Sequence, residues 1–213
     1  MEKMISFDMD GTLIQQSFAD SVWLEGLPRL YALHQGIRFH KAQKYLMAEY
    51  NTIGPEAIEW YDIQYWFKKL GLDENWKSFL DTYRHKIILY PEVHGVLQSL
   101  KDKYSLLIIS NAAREFLTIE LEETHLAHYF SHIFSAVTDF KQTKKDSNVY
   151  QQICTALGID PSGLIHVGDN YCFDYLIPRK MGIISFYLNR TSHRSQGDNR
   201  YTLTNLRELF SKI

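Results

Sequence analysis

Three short apolar runs, each followed at once by polar residues, constrain most strongly how this chain can fold. The runs and the polar residues after them are residues 4–7 with Asp8 and Asp10, residues 106–109 with Ser110 and Asn111, and residues 164–167 with Asp169 and Asn170. An apolar run of this length that ends in turn-forming residues is typical of a buried strand. Helical spacing of apolar residues separates the runs, so the pattern predicts βαβ units and an α/β fold with a parallel sheet.

The positions of the polar residues predict a common site. The carboxyl ends of parallel strands lie at the same edge of a sheet, and ligands of open α/β sheets bind in the crevice beyond that edge. We therefore expect Asp8, Ser110 and Asp169 to converge, although they are far apart in the sequence. The chemistry of the protein should lie at this edge.

The rest of the second half of the chain continues the alternation. Predicted helices cover residues 93–100, 116–121 and 149–157, and further strands cover residues 132–137 and 183–187. Residues 189–200 are polar and contain glycine, which predicts an exposed loop. Residues 205–210 then form a predicted closing helix.

The spacing of Asp8 and Asp10 suggests a cation. In an extended strand, residues two apart point to the same face, where two carboxylates repel each other. Mg2+ would relieve the repulsion, because it binds through one or two carboxylates together with water and substrate phosphate oxygens. The alternative is a turn in which both aspartates only accept hydrogen bonds from the backbone.

The residues at these strand ends resemble the motifs of the haloacid dehalogenase (HAD) superfamily of phosphohydrolases. Asp8-Met9-Asp10-Gly11-Thr12-Leu13 resembles the first motif, and the others follow in order as Ser110-Asn111, Lys144, and Gly168-Asp169-Asn170 with Asp174. The resemblance implies a Rossmann-like parallel sheet core with an inserted all-helical cap domain. It also implies a Mg2+-dependent phosphatase that hydrolyses a small phosphate monoester through an aspartyl-phosphate intermediate.

The resemblance assigns a role to each residue of these motifs. Asp8 is the expected nucleophile, Asp10 the general acid/base, Ser110 and Asn111 the phosphate-binding residues, Lys144 the charge-stabilising cation, and Asp8, Asp10, Asp169 and Asp174 the metal-binding set. Asp10 is expected to contact the metal through its backbone carbonyl, and Asp174 to act from the outer shell. The haloalkanoic acid dehalogenases of the superfamily lack the second aspartate, since a halide leaves without a proton.

The lysine is chosen between two neighbours. The family often has an aromatic residue six positions after the lysine, and Tyr150 stands at that distance from Lys144, whereas Lys145 would have Gln151. This spacing favours Lys144, with Lys145 as an exposed neighbour. Lys145 and Ser147 occupy places that the family often fills with proline.

The segment between the first two motifs predicts a separate helical unit. Residues 15–88 have helical spacing, and we expect them to form a cap inserted into a catalytic core of residues 1–14 and 89–213. Pro55 suits the first turn of a helix, and Gly71 suits the end of one. The segment contains all four tryptophans, Trp23, Trp60, Trp66 and Trp76. Their spacing favours a small internal core, and the alternative is that one or two line a substrate pocket.

Composition limits the partners. The 213 residues carry a net charge of −2, without the basic run of a nucleic-acid or acidic-membrane surface. The sequence has no apolar run long enough to span a bilayer, and it starts directly with a strand rather than a signal peptide. Cys154 and Cys172 fit neither a disulfide framework nor a metal pattern. These features predict a cytoplasmic enzyme for a small phosphorylated metabolite, and they do not indicate an oligomeric state.

Three other functions remain open from the sequence. A phosphomutase of the same superfamily would return the phosphoryl group to a sugar instead of water. A receiver-like signalling module also has an acidic Mg2+ pocket on an α/β sheet, but it lacks the Asp10 acid/base and a cap. A catalytically silent binding protein is disfavoured because every chemical group is present.

Overall fold

The structure is a computed structural model that describes residues 3–191 and 198–213. At its centre lies a parallel sheet of six strands. The strands are β1 (Met4–Phe7), β2 (Ser105–Ser110), β3 (His132–Ser135), β4 (Leu164–Gly168), β5 (Ile184–Leu188) and β6 (Thr202–Leu203). Their order is β3-β2-β1-β4-β5-β6, and all the pairings are parallel. The predicted α/β fold is confirmed.

Strand β1 lies in the middle because it pairs on both sides. Ile5 lies opposite Leu106 of β2 and opposite Ile165 of β4. The chain runs outward from β1 in one direction through β2 and β3 and in the other through β4 to β6. The order of the strands reverses at this point, which opens a crevice beyond the carboxyl ends of β1 and β4.

Helices cover the sheet on both faces, which explains why the strand sequences are apolar without alternation. In β2, Leu106 and Ile108 belong to one buried cluster, whereas Leu107 and Ile109 belong to another. The helices are α1 (Ser17–Asp20), α2 (Leu27–Gln35), α3 (Phe39–Ile53), α4 (Ile63–Leu70), α5 (Trp76–Asp81), α6 (Val93–Leu100), α7 (Arg114–Thr124), α8 (Ala136–Phe140), α9 (Ser147–Leu157) and α10 (Ile177–Lys180). In the described part of the chain, none of them combines the length and apolar character that a membrane span requires.

The chain leaves the sheet after β1 and returns to it through two paired segments. The N–H of Gln15 donates to the carbonyl of Ile88 at 2.9 Å, and the N–H of Tyr90 donates to the carbonyl of Leu13 at 3.1 Å. Between them, residues 17–86 are all described and contain helices and turns but no strand. The boundaries of a core at 1–14 and 89–213 and of a cap at 15–88 stay a prediction, and residues 1–2 lie outside the described part.

The helical segment 17–86, called the insert below, has a buried cluster of its own that extends to helix α7. Phe18, Leu46 and Trp66 of the insert are completely buried. Phe116 and Ile119 of α7 belong to the same cluster. The insert is therefore seated on α7, the helix that follows β2.

Some predicted boundaries differ from the structure because side chains cap the backbone. The strand predicted at 132–137 ends at Ser135, whose hydroxyl accepts a hydrogen bond from the N–H of Thr138 and starts α8. Pro55 does not begin a helix, since it lies in the turn after α3. Helix α4 begins later, where the Asp62 carboxylate accepts hydrogen bonds from the N–H groups of Gln64 and Tyr65.

The predictions of a loop at residues 189–200 and a helix at residues 205–210 were partly wrong. Residues 192–197 of the predicted loop 189–200 lie outside the described residues. The two-residue strand β6 was missed, because so short a strand leaves no pattern in the sequence. The predicted helix at 205–210 is a 3-10 helix, Leu206–Ser211, in which Asn205 accepts a hydrogen bond from the N–H of Arg207.

The cluster inside the insert can be tested by truncating one leucine. We expect Leu46→Ala to lower the free energy of unfolding by about 2–5 kcal/mol, because it leaves a cavity where the side chain is completely buried. Urea unfolding followed by circular dichroism measures the change. Leu33→Ala is the matched control, because Leu33 is 80% exposed on α2 and its truncation should change stability by less than about 0.5 kcal/mol. Equal effects of the two substitutions would contradict this packing.

Candidate active site

The structure brings the predicted polar residues together around one cavity of about 380 Å³ at the carboxyl edge of the sheet. Asp8 follows β1, Ser110 ends β2, and Asp169 follows β4. Asp10, Asn111 and Asp174 line the same cavity, whereas Lys144 does not. The parallel register of β1 with β2 and β4 places these sequence-distant groups side by side.

Two glycines make room for the carboxylates. Gly11 has φ +76, and a Cβ at this position would lie 2.2 Å from Oδ2 of Asp169. A Cβ on Gly168 would lie 2.4 Å from Cγ of Asp174. Both contacts are closer than atoms can approach, so the acidic groups pack directly against bare backbone at the two strand ends.

The structure does not place Lys144, the predicted charge-stabilising residue, in the cavity. The ammonium of Lys144 pairs with Glu56 of the insert, outside the cavity. Lys145, expected to be exposed, is only 1% exposed and lines the cavity. The physical reason lies in two hydrogen bonds of the loop: Asn111, which follows β2, accepts one from the N–H of Lys145 at 2.8 Å, and Asp146 caps helix α9.

The ammonium of Lys145 is fully occupied. It donates to Oδ1 of Asp8, to Oδ1 of Asp174 at 2.6 Å and to the carbonyl of Ile109 at 3.2 Å. A lysine ammonium has three hydrogens, so these bonds use all of them. Burial alone lowers the pKa of Lys145, but the charges of Asp174 and Asp8 outweigh it and hold that pKa above its usual range. Lys145 is therefore a permanent cation inside the site.

Asp174 is held by donors from the protein. Its Oδ1 also accepts a hydrogen bond from Nε2 of His166 at 3.1 Å, and its Oδ2 accepts one from the N–H of Asn170 at 2.9 Å. Burial raises the pKa of Asp174, but the charge of Lys145 and the bond from His166 outweigh it and hold the pKa well below its usual range. Asp174 is thus ionised and completely buried, and its role fits the predicted outer position better than a direct metal ligand.

The buried histidine extends this network to β1. Nδ1 of His166 lies 2.8 Å from the hydroxyl oxygen of Ser6, and burial lowers the pKa of His166. A neutral ring that donates from Nε2 to Asp174 accepts the Ser6 hydroxyl hydrogen at Nδ1. Ser6, His166 and Asp174 have the residue types of a nucleophilic triad, but all three are completely buried. They serve to orient Asp174.

The other three carboxylates are forced toward protonation. Burial, and then the charge of Asp169, raises the pKa of Asp10 to about 7. Burial, and then the charge of Asp174, raises the pKa of Asp169 to about 6. The pKa of Asp8 is also raised well above its usual value, mainly by burial and despite the opposing charge of Lys145. One ammonium does not balance four neighbouring carboxyl groups.

This charge surplus fits a divalent cation. One carboxylate oxygen from each of Asp8, Asp169 and Asp174 lies within 4.8 Å of the other two. Oδ1 of Asp10 is buried with no hydrogen-bond partner among the described residues. Hard oxygen atoms grouped in this way are the ligands that Mg2+ prefers.

Ser110 and Asn111 have separate tasks. The Ser110 hydroxyl accepts a hydrogen bond from the N–H of Ala112 at 3.1 Å and is nearly buried at the cavity wall. It does not cap α7, whose first N–H, that of Arg114, donates to Thr138. The Asn111 amide oxygen is used to hold the backbone of Lys145. Of the pair, Ser110 is the better placed to bind an anion, while Asn111 fixes the lysine loop.

Comparison with known proteins agrees with these motifs. A model of the family described as "Haloacid dehalogenase-like hydrolase" matches residues 5–187. The chain belongs to the haloacid dehalogenase-like hydrolase family. It is therefore a hydrolase, as the sequence predicted.

Three relatives show the range of this family. The GMP/IMP nucleotidase YrfG of Escherichia coli (strain K12) is 24% identical over 167 residues, covering 78% of this chain and 73% of the nucleotidase. The crystal structure of a HAD phosphatase from Thermococcus onnurineus has a TM-score of 0.83 and 25% identity, with 98% of this chain and 96% of that one covered. A 2-haloacid dehalogenase from Pseudomonas syringae pv. Tomato DC3000 shares the fold, with a TM-score of 0.71, 19% identity and coverage of 100% and 98%.

Sequence reasoning missed a residue that supports the first motif of this hydrolase. Arg190 follows β5 in the region that was predicted to be an exposed loop. Its guanidinium donates to the carbonyl of Thr12 and to Glu92, both at 2.7 Å, and lies 3.5 Å from the centre of the Tyr90 ring. An arginine in a polar stretch gives no signal of burial, so only the fold reveals that it holds the loop after Asp10.

A second missed residue is Glu120 on α7. It is completely buried, and neither carboxyl oxygen has a hydrogen-bond partner among the described residues. Burial, reinforced by the charges of Asp10 and Asp8, raises the pKa of Glu120 well above its usual value. The sequence places it in an acidic helix with Glu115, Glu122 and Glu123, where a solvent-facing side chain is the ordinary expectation.

Glu120 predicts how the stability of the metal-free protein depends on pH. A carboxyl group whose pKa is raised on folding binds more protons in the folded state, so its contribution to stability falls as pH rises above about 4.3, the unfolded value. Glu120→Gln removes this loss. We expect the free energy of unfolding of the variant, relative to wild type, to increase as pH rises above this unfolded value.

The measurement is urea unfolding in EDTA at several pH values. Glu123→Gln is the control, because Glu123 is on the same helix but 44% exposed, and its difference from wild type should be nearly independent of pH. A parallel response of the two variants would contradict a buried, protonated Glu120.

Proposed function

We propose that this hydrolase is a Mg2+-dependent phosphatase that hydrolyses a small-molecule phosphate monoester through an aspartyl-phosphate at Asp8. The observation that carries the proposal is the arrangement of Asp8, Asp10, Ser110, Lys145 and Asp169 around one cavity. These groups supply a nucleophile, a proton donor, an anion-binding hydroxyl, a fixed cation and a metal ligand. The phosphatase and nucleotidase among the relatives support the same reaction class.

Asp8 is the nucleophile in this proposal. Lys145 binds Oδ1, which fixes the carboxylate and leaves Oδ2 as the attacking oxygen. Attack of Oδ2 on phosphorus forms the Asp8–phosphorus bond as the bond to the leaving alcohol oxygen breaks. The charge of Lys145 lowers the pKa of Asp8, against the larger effect of burial, and so favours the ionised carboxylate that attacks phosphorus.

Asp10 supplies and recovers the proton. It donates a proton to the leaving alkoxide in the first step. In the second step it takes a proton from the water that attacks phosphorus, so phosphate is released and the Asp8 carboxylate is restored. A pKa raised to about 7 suits a group that must both give and accept a proton near neutral pH.

Mg2+ fits the carboxylate group through Asp8, Asp169 and the backbone carbonyl of Asp10, with Asp174 acting from behind. When bound, the ion would neutralise charge on the phosphoryl oxygens. Asp174 keeps Lys145 and the Asn170 turn in place through the bonds described above. The Ser110 hydroxyl donates to a phosphoryl oxygen, which its position at the end of β2 allows.

Asp10 favours phosphate esters over haloacids. A halide leaves as a stable anion, whereas an alkoxide needs a proton, and Asp10 lines the cavity beside Asp8. The insert lines the other side of the cavity, which suits a small metabolite rather than a macromolecule. A cytoplasmic location stays a prediction from composition.

The experiment that tests the proposal measures phosphate release from small esters with and without Mg2+. We expect activity that EDTA abolishes, and Asp8→Asn should reduce it to below about 1% of wild type, because an amide is not a competent nucleophile. Asp102→Asn, an exposed aspartate after α6, is the control and should keep full activity. Substantial turnover by Asp8→Asn would exclude Asp8 as the nucleophile.

A comparison of two substrate classes separates proton donation from charge stabilisation. We expect Asp10→Asn to slow hydrolysis of alkyl phosphates by on the order of a hundredfold or more, and p-nitrophenyl phosphate far less, since its phenolate needs little protonation. Lys145→Met should slow both by on the order of a hundredfold through lost charge stabilisation.

The matched control for the lysine is its neighbour. Lys144→Met removes the same charge outside the cavity, so it should change kcat/KM for either substrate only slightly. Circular dichroism checks that all variants fold. A larger loss in Lys144→Met than in Lys145→Met would restore the interpretation made from the sequence.

A further inference from the structure

Aromatic side chains line the cavity on the side of the insert. Trp23, Trp60 and Tyr61 of the insert line it, together with Phe116 of α7. Two of the four tryptophans thus lie at the site, while Trp66 is completely buried in the insert. A phosphate group bound beside Asp8 and Ser110 would place its leaving group near these rings.

The aromatic residues of the cavity pack against neighbouring side chains of the insert and of α7. Trp23 stacks on Phe116 with ring centres 5.5 Å apart and an angle of 16°. The buried Tyr50 packs edge-on against Trp23, and its hydroxyl donates to the Trp23 carbonyl at 3.1 Å. Trp66 holds the other side, because its indole N–H donates to the carbonyl of Trp60 at 3.4 Å. Rigid aromatic walls bind a planar group at little cost in conformational entropy.

The charges of the cavity oppose an anionic leaving group. Among its described lining residues, Lys145 is the one basic side chain, and its three hydrogens are already bonded to Asp8, Asp174 and Ile109. Asp20 of helix α1 adds a further carboxylate to the lining of the cavity. A carboxylate on the leaving group would therefore meet repulsion, whereas N–H or O–H groups could donate to Asp20.

We propose that Trp23 and Trp60 determine the substrate specificity of the enzyme. The leaving group is then an uncharged alcohol that carries a planar aromatic ring and a hydrogen-bond donor for Asp20, which is the chemistry of a nucleoside. The inference rests on the phosphatase function proposed above and names its substrate class. A cavity of about 380 Å³ lies within the range of small-molecule sites, about 300–1,000 Å³.

The test compares esters that share the reacting group. Nucleoside 5′-monophosphates, ribose 5-phosphate and 2-phosphoglycolate are assayed with Mg2+, since ribose 5-phosphate retains the sugar phosphate and lacks the base. We expect kcat/KM to be on the order of ten- to a hundredfold higher for a nucleoside monophosphate than for ribose 5-phosphate, as base stacking on aromatic rings allows. 2-Phosphoglycolate should be the poorest of the three. Purine and pyrimidine nucleotides show which ring is preferred.

Substitutions locate the effect. Trp60→Leu and Trp23→Leu keep apolar volume but remove the ring, so we expect KM for the nucleotide to rise about tenfold while kcat/KM for ribose 5-phosphate changes less than about twofold. Trp60→Phe should recover most of the loss. Trp76→Leu is the control, because Trp76 is half-buried in the insert but does not line the cavity. Asp20→Asn should raise kcat/KM for 2-phosphoglycolate.

The outcomes separate this inference from the proposed function. Hydrolysis of ribose 5-phosphate or 2-phosphoglycolate as good as that of nucleotides would overturn the inference and leave the phosphatase intact. An equal loss for nucleotide and ribose 5-phosphate in Trp60→Leu would also overturn it. If no ester is hydrolysed, the proposed function fails, and binding of the nucleotide is then measured by quenching of tryptophan fluorescence. Quenching that is lost in Trp60→Leu supports the inferred nucleotide pocket. An absence of quenching in the wild-type protein overturns it.

Discussion

The ion pairs of Lys145 with Asp8 and Asp174 are the interactions on which the site depends. Two unit charges about 4 Å apart at an effective dielectric constant of about 20 interact by roughly 4 kcal/mol, enough to decide which groups are ionised. Lys145 is the one cation among the described groups that line the cavity, against several carboxylates. Asn111, directly after β2, places the backbone of Lys145, and His166 of β4 orients its partner Asp174.

These ion pairs do not balance the negative charge of the site. Asp8, Asp10 and Asp169 all have raised pKa values because burial and like charges oppose ionisation. Neutral side chains of similar size would often make a protein at least as stable as such a group of buried charges does. Retaining it at the carboxyl edge of a parallel sheet is the arrangement expected where charge must be offered to a metal ion and a transferring phosphoryl group.

The insert and the sheet contribute to the cavity together. Helix α7 belongs to both, since Leu117 packs in the sheet cluster and Phe116 in the insert cluster. Polar contacts also join the two parts, from Lys144 to Glu56 and from Gln64 to Glu115 at 3.1 Å. The charged and polar groups of the cavity thus come mostly from strand ends, while its aromatic surface comes from the insert and from α7.

The sequence by itself determined the sheet, the helical insert and the acidic strand ends, because apolar periodicity and turn residues are local properties. Asp8, Ser110 and Asp169 could be placed at one edge since all strands of a parallel sheet point the same way. Only the tertiary structure shows which of the adjacent residues Lys144 and Lys145 enters the cavity. Asn111, which follows β2, fixes the direction of their loop through its hydrogen bond with the N–H of Lys145. The tertiary structure also buried Glu120, placed Arg190 against the loop after Asp10 and brought Trp23 and Trp60 to the cavity. Long-range packing, which leaves no local pattern in the sequence, sets which face of an element meets the site.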